Sequence, residues 1–215
     1  AGLEMDMAGY EKAMQEQKSK AMASWKGSGE KEVAPFYKEF AQSSVPTKFE
    51  GYISNEENAT ILAILREETK IDTANQGDDI ELLVDRTPFY GESGGQVGDS
   101  GTAFNDNVQL ELLNAIKPLP GLIVHKAKIL NGSIKTGDSL TLRIDKFNRK
   151  NTALNHSATH LLHAALKEVL GEHIKQAGSL VAPDRLRFDY THFSPLTEKE
   201  RHKIESLVNE KVRDN

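Results

Sequence analysis

The stretch that decides the fold is residues 108–144, VQLELLNAIKPLPGLIVHKAKILNGSIKTGDSLTLRI. It holds three short runs rich in Ile, Leu and Val, at residues 108–116, 122–130 and 139–144. Turn-forming residues separate the runs, and the dipeptide Asn131-Gly132 is a strong hairpin signal. Short strands joined by such turns favour a small antiparallel barrel or sandwich over an α/β sheet.

The same pattern begins earlier in the chain and changes to a helical one after it. Two further strand-like runs lie at residues 61–65 and 80–84. From Lys146 the helical period returns, and Gly171 is placed to end that helix. Residues 178–190 then resemble a hairpin that turns at Pro183-Asp184, and Thr197 with Glu200 predicts a capping box that starts a last helix.

The first 32 residues differ from the rest. Residues 3–25 place apolar side chains on one helical stripe, and residues 26–32 resemble a linker. The predicted fold class is therefore α+β: an N-terminal helix, a small antiparallel barrel or sandwich, and a subdomain of helix plus sheet. The domain boundaries predicted on this basis are 1–30, 31–147 and 148–215.

Composition excludes several classes of protein. With 215 residues, 38% hydrophobic and 27% charged, the chain has the make-up of an ordinary soluble globular protein. It has no apolar run long enough for a membrane span and no signal peptide at its start, so we expect a cytoplasmic protein and no membrane partner. The lack of cysteine excludes disulfides, a thiol nucleophile and thiolate metal ligands within this chain.

Charge is unevenly distributed. The formal balance is −1 over residues 1–50, −7 over residues 51–145 and +3 over residues 146–215. Phosphate binding depends on Lys and Arg, so a polyanion is expected to contact the last third, at Lys146, Arg149, Lys150, Arg185 and Arg187. A solvated basic face remains the alternative interpretation of the same surplus.

Three histidines share one face of the helix that follows Lys146. His156, His160 and His163 stand at i, i+4 and i+7, opposite a stripe of apolar residues that begins at Leu154. Side chains one turn apart can bind the same metal ion, although a polar face in contact with solvent would have the same spacing. The remaining histidines, at positions 125, 173, 192 and 202, are predicted to lie on the surface.

A second unusual segment is YGESGGQVGDSG at residues 90–101, with five glycines. It is neither a P-loop nor a dinucleotide-binding turn, because it lacks the required lysine and glycine spacing. Such glycine density allows a backbone to approach a ligand closely, and it is also found at tight barrel corners.

Three motifs together resemble one family. DRTPFY at residues 85–90 leads into the glycine segment, NHSATHLLH occupies residues 155–163, and QAGSLVAPDRLRFD occupies residues 176–189. In this order they resemble the editing domain of the alanyl-tRNA synthetases, over roughly residues 45–215, and residues 1–26 resemble the helix that closes that family's tRNA-recognition domain. The resemblance implies hydrolysis of tRNA(Ala) mischarged with serine or glycine, with the aminoacylated 3′ end of tRNA(Ala) as partner and no DNA.

The resemblance also implies a fold, with a small glycine-rich antiparallel β-barrel followed by a zinc-type editing subdomain of helix plus sheet. It implies roles for individual residues as well. His156 and His160 would bind zinc, Thr159 and Gln176 would act on the substrate, and Gly94, Gly95 and Gln96 would cover the terminal adenosine and amino acid. The family's other zinc ligands form a CxxxH motif that this sequence lacks, so we expect an incomplete zinc site and a chain that ends before that motif. ATP would be required only by an aminoacylation core, which is expected to lie outside this chain.

Other functions fit the same residues. A freestanding protein that edits mischarged tRNA in trans is the nearest alternative, and the related editing module of threonyl-tRNA synthetase is another. A tRNA-docking module without catalysis would bind RNA independently of zinc. A metal-sensing module would bind zinc tightly without affinity for RNA.

Overall fold

A computed structural model describes residues 33–214 of the chain. The N-terminal helix and linker predicted at residues 3–32 lie outside the described residues, as does Asn215. In the described range the helices are α1 (Pro35–Ser43), α2 (Lys146–Leu170) and α3 (Glu198–Arg213). The strands are β1 (Lys48–Phe49), β2 (Glu56–Arg66), β3 (Thr69–Ile71), β4 (Thr73–Asn75), β5 (Asp79–Val84), β6 (Arg86–Thr87), β7 (Gly101–Asn105), β8 (Val108–Leu119), β9 (Leu122–Asn131), β10 (Ser133–Lys135), β11 (Ser139–Ile144), β12 (Gln176–Val181) and β13 (Leu186–Tyr190).

Six strands form a closed antiparallel barrel, which confirms the barrel predicted from the sequence. Their order is β11, β7, β8, β9, β5 and β2, and the barrel closes because β11 also pairs with β2. The long pairing of β8 with β9 shifts register at three places. Such bulges increase local twist and bend a sheet, which helps six strands to close.

Alternating side chains fill the barrel. Along β8, Val108, Leu110 and Leu112 are buried, whereas Gln109 and Glu111 between them are exposed. The same alternation on the other strands buries a single apolar cluster of mainly Ile, Leu, Val and Ala. Burial of this apolar surface is the main source of the barrel's stability.

The predicted hairpin at Asn131-Gly132 is wrong. Strand β9 ends at Asn131 and pairs with β8 and β5, and Gly132 (φ 79°) directs the chain into β10, which pairs with β4 instead. A Cβ atom on Gly132 would collide with the Asn107 carbonyl. At this point the turn after β9 passes close to the turn before β8, so the position requires both a positive φ and the lack of a side chain.

Helix α1 was not foreseen from the sequence. Its one buried residue is Tyr37, whose hydroxyl donates a hydrogen bond to a carboxylate oxygen of Glu81 on β5. Burial and the neighbouring carboxylate raise the pKa of Tyr37 well above its ordinary value. The phenol therefore stays protonated and holds α1 on the barrel.

His125 is buried inside the barrel, so its predicted surface position is wrong. It is 1% exposed, its Nε2 lies 2.8 Å from the Thr87 hydroxyl, and its Nδ1 lies 3.2 Å from the Leu82 carbonyl. The ring also packs edge-on against Phe89. Burial disfavours the charged imidazolium and lowers the pKa of His125 from 6.5 to about 4.

This burial predicts a loss of stability in acid. Between pH 6.5 and 4 the unfolded chain binds a proton at His125 that the folded chain does not, so this contribution is present above pH 6.5 and lost as the pH falls towards 4. The loss amounts to about 3 kcal/mol. Denaturant unfolding gives the free energy of unfolding of wild type and of His125→Gln, and the difference between the two proteins should be smaller at pH 4 than at pH 7.5 by about this amount. The same difference at both pH values would contradict the assignment.

The last part of the described chain, from Asp145 onwards, packs around α2. Asp145 caps the start of the helix by accepting hydrogen bonds from the Phe147 and Asn148 amides, and Gly171 (φ 116°) ends it as predicted. The hairpin of β12 and β13 and the Thr197–Glu200 capping box of α3 are also confirmed. These elements share a small apolar core around Ala165, Leu166, Ile174 and Ile204.

Two further observations concern the helices. Leu154, which the helical pattern placed on the buried stripe, is 60% exposed, because the core contacts of α2 begin further along the helix. Within residues 33–214, each helix is too short or too polar to cross a membrane.

Candidate functional site

A cleft of about 370 Å³ lies between loops of the barrel and the first half of α2. This volume is in the range typical of small-molecule sites. The residues that line it are Phe49, Tyr52, Tyr90, Gln96, Arg149, Ala153, His156 and Ser157. The glycine-rich segment and the histidine helix, which are distant in sequence, therefore meet at one place.

His156 and His160 form an exposed pair beside this cleft. Their ring centroids are 5.1 Å apart and the rings are inclined by 32°, as expected for residues one helical turn apart. Both side chains point away from the core of α2, as the helical pattern predicted. Their exposure leaves ring nitrogens accessible to a ligand.

Gln96 fixes the orientation of His156. Its Oε1 atom lies 2.7 Å from Nδ1 of His156, and a carboxamide oxygen only accepts hydrogen bonds. Nδ1 is therefore the donor in this hydrogen bond, and Nε2 is the ring nitrogen that a ligand can reach. A ligand histidine oriented by a hydrogen bond from its other nitrogen is the arrangement found at protein metal sites.

The third histidine does not join the pair. The ring of His163 packs on Phe188 with centroids 5.0 Å apart, and its Nε2 atom is buried without a hydrogen-bond partner in the described chain. Across residues 33–214, no three His, Cys, Asp or Glu side chains come together as a metal site. His156 and His160 thus fit as two ligands of a metal ion, and a complete site needs ligands from outside these residues.

The glycine-rich loop docks on β12. The Val97 amide donates to the Val181 carbonyl at 3.0 Å, and the Val181 amide donates to the Gly95 carbonyl at 2.8 Å. Gln176 reaches the same junction, because its Nε2 donates to the Ser179 hydroxyl at 3.1 Å. The structure therefore brings Gly95, Gln96, His156 and Gln176 into one neighbourhood.

Two adjacent glycines allow a controlled test of this junction. Gly94 (φ 61°) and Gly95 (φ 85°) are both left-handed, but a Cβ on Gly95 would lie 2.6 Å from the Ser179 carbonyl oxygen, whereas one on Gly94 would meet nothing within 4 Å. We expect Gly94→Ala to cost about 1 kcal/mol of unfolding free energy through backbone strain. Gly95→Ala should cost at least about 1 kcal/mol more, because the loop must also move off β12. Equal losses in denaturant unfolding would contradict the docking contact.

Thr159 lies on α2 between the two histidines but is buried. Its hydroxyl donates to the Asn155 carbonyl at 2.8 Å, so its proton is already used within the helix. The oxygen retains lone pairs with which it can accept one further hydrogen bond. Thr159 is thus available to a ligand only as an acceptor.

Arg149 has a different role from the phosphate contact suggested by its charge. Its guanidinium forms an ion pair with Asp99, whose side chain is only 7% exposed, and also donates to the Gly51 and Pro88 carbonyls at 2.9 and 2.8 Å. Arg185 and Arg187 form ion pairs with Asp184 and Asp189. Lys146 and Lys150 at the start of α2 are exposed, and their contact with phosphate stays a prediction.

Sequence reasoning missed the aromatic part of the cleft. Phe49, Tyr52 and Tyr90 come from two segments about 40 residues apart and carry no recognisable spacing. The one signal in the sequence was that Phe49 and Tyr52 lie between the predicted linker and the first predicted strand, where no core strand requires them.

Comparison with known proteins gives a consistent family. The family model described as tRNA synthetases class II (A) matches residues 1–148. The whole chain is 46% identical to the alanine–tRNA ligase of Anaeromyxobacter dehalogenans and covers 23% of that protein. It is also 43% identical to the enzyme of that name from Chelativorans sp. and 44% identical to that from Myxococcus xanthus, in each case over the whole chain and 24% of the relative. The chain therefore spans about a quarter of the length of the curated relatives it matches.

Proposed function

The chain belongs to the class II (A) tRNA synthetases and is similar over its full length to alanine–tRNA ligases, and from this premise we propose that it carries an editing site. The proposed reaction is hydrolysis of the ester bond in tRNA(Ala) charged with serine or glycine. Ligation of alanine with ATP is the activity for which the relatives are named, and editing is the part we propose for this chain. The cytoplasm remains the expected compartment.

One observation carries the proposal. His156 of the histidine pair on α2 and the glycine-rich loop from the barrel meet at one cleft, where Gln96 hydrogen-bonds His156. A site with an oriented histidine beside a glycine-rich backbone that a ligand can approach closely is suited to bind a polar ester and to polarise it. Two parts of the chain that are 60 residues apart would then act as one unit.

The chemical need for such a site is clear. Serine exceeds alanine by one hydroxyl, and a hydrophobic pocket rejects such an addition by only about a hundredfold. A second, hydrolytic site that hydrogen-bonds the hydroxyl corrects the remaining errors. Thr159, whose proton is held by Asn155, would accept the hydrogen bond of the serine hydroxyl, and Gln176 would position the substrate or a water molecule. Gly94, Gly95 and Gln96 would cover the terminal adenosine and the amino acid.

Zinc is the proposed cofactor of this site, held in part by His156 and His160. Zinc, when bound, supplies polarisation of a carbonyl or of water. The residues of this chain contribute two imidazole rings, one of them oriented by Gln96. Completion by the CxxxH motif that the family resemblance implies is part of the proposal.

The test is hydrolysis of seryl-tRNA(Ala), measured for the 215-residue chain and for the same chain extended by a CxxxH-bearing segment, both with added zinc. We expect the extended protein to release serine much faster than the shorter one, because its zinc site is complete. Absence of hydrolysis by both proteins would contradict the proposal.

A second function is favoured by one observation. Because two rather than four metal ligands come together in residues 33–214, the chain by itself also suits a tRNA-docking module without catalysis. Tight binding of tRNA(Ala) that is independent of zinc, with no ester hydrolysis by either protein, would favour this alternative.

A further inference from the structure

The cleft contains an aromatic cluster that the proposed hydrolysis does not use. Phe49 lies between Tyr52 and Tyr90, with ring centroids 5.0 and 6.3 Å away and both contacts edge-on. Tyr52 is 89% exposed, although a large aromatic ring is usually covered. An uncovered ring at the mouth of a cleft is suited to contact a flat, apolar ligand surface.

The polypeptide around this cluster is held firmly before any ligand arrives. Arg149 donates to the Gly51 carbonyl, next to Tyr52, and to the Pro88 carbonyl, two residues before Tyr90. Its ion-pair partner Asp99 accepts the Tyr90 amide at 2.6 Å. The Arg149–Asp99 pair thus fixes both segments that carry the tyrosines, so little ordering is required when a ligand binds.

The aromatic cluster and His156 line the same cleft, which limits what the ligand can be. In an aminoacyl-tRNA the amino acid is esterified to the ribose of the terminal nucleotide. An ester bound at His156 therefore places the terminal base about one ribose away, within a cleft that also contains Tyr52 and Tyr90. An aromatic cluster that lines the same cleft as His156 is therefore placed to contact the base.

We propose that Phe49, Tyr52 and Tyr90 form a stacking site for the unpaired terminal nucleobase of the RNA. This inference rests on the proposed function and adds to it the part of the site that binds the nucleotide. Stacking on aromatic side chains requires no particular base edge, and it contributes strongly to binding of single-stranded RNA. The tyrosines thus hold the 3′ end while the histidines face the ester.

The test uses uncharged RNA, so that it does not depend on hydrolysis. A fluorescein-labelled hairpin with a single-stranded CCA end is compared with the same hairpin in which the last nucleotide is abasic, and binding to the 215-residue chain is followed by fluorescence anisotropy. We expect the CCA hairpin to bind about tenfold more tightly than the abasic one. Tyr52→Ala should reduce binding of the CCA hairpin to the abasic level and leave binding of the abasic hairpin unchanged.

Two variants serve as controls. Tyr52→Phe keeps the ring and should bind the CCA hairpin like wild type, and Phe193→Ala removes a ring that is 87% exposed elsewhere and should have no effect. Equal binding of both hairpins, or wild-type preference for CCA in both Tyr52→Ala and Tyr90→Ala, would overturn the proposal. If binding of the CCA hairpin requires the tyrosine rings but seryl-tRNA(Ala) is not hydrolysed, the result counts only against the proposed function. If seryl-tRNA(Ala) is hydrolysed but binding does not require the rings, the result counts only against the stacking site.

Discussion

Replacement of both His156 and His160 by alanine should lower the rate of seryl-tRNA(Ala) hydrolysis at least about a hundredfold, which is the range for loss of a group that acts on the reacting atoms. Both side chains are exposed, and the hydrogen bond that the double variant removes is the one between His156 and Gln96. The fold should therefore persist, with little change in melting temperature. The rate is measured in single-turnover experiments with the extended, CxxxH-bearing protein.

The histidine variant has a matched control. His202 lies on the exposed side of α3, where its ring is near the carboxylates of Glu198 and Glu205. His202→Ala should hydrolyse seryl-tRNA(Ala) at the wild-type rate. Full activity of the double variant, with its fold intact, would defeat the assignment of the histidine pair.

Replacement of Arg149 by methionine should remove about 3–5 kcal/mol of unfolding free energy. Methionine keeps most of the volume, but the Asp99 carboxylate is then left without its cation in a nearly buried place. The Gly51 and Pro88 carbonyls also lose their donors. Urea denaturation monitored by circular dichroism measures the loss.

A double-mutant cycle separates the ion pair from general damage. Asp99→Asn keeps an acceptor for the Tyr90 amide and removes the charge, so the double variant Arg149→Met/Asp99→Asn should be more stable than the sum of the single losses predicts. Arg187→Met breaks a comparable but exposed pair with Asp189 and should cost less than about 1 kcal/mol. If Arg149→Met also lowered the free energy of unfolding by less than about 1 kcal/mol, the segments around the cleft would not depend on the Arg149–Asp99 pair.

Local patterns in the sequence predicted five of the six barrel strands and two of the three described helices, but not how the strands pair. The runs that became β2, β5, β8, β9 and β11 were recognisable because their apolar side chains fill the barrel. Strand β7 was missed, because its five residues, GTAFN, follow the glycine-rich segment and lack an apolar run. The error at Asn131-Gly132 has a different cause. The chain does turn there, but β9 pairs with β8 and β5 while β10 pairs with β4, so the two segments that flank the turn do not pair with each other.

The position of His125 was predictable from register. Lys126 and Lys128 are exposed, and they alternate with His125, Ala127 and Ile129, so the strand pattern already placed the histidine inside. A judgement based on residue type alone overlooked this alternation.

The histidine pair and the glycine-rich loop were both predicted as site elements, but their contact was not. The hydrogen bond of Gln96 to His156 joins residues 60 apart, and the Arg149–Asp99 pair joins residues 50 apart. No local pattern encodes such distances. The family resemblance supplied the expected roles of the residues, whereas the aromatic cluster and the contacts of Arg149 emerged only from the fold.

The closure of the barrel by β11 and β2 has a consequence for synthesis on the ribosome. Strand β2 ends at Arg66, but its second neighbour begins at Ser139, so the growing chain exposes an open strand edge until more than 70 further residues have emerged. An unpaired edge of this kind invites association with other nascent chains. Because α2 begins at Lys146, directly after the closing strand, the start of the histidine helix is anchored where the barrel closes.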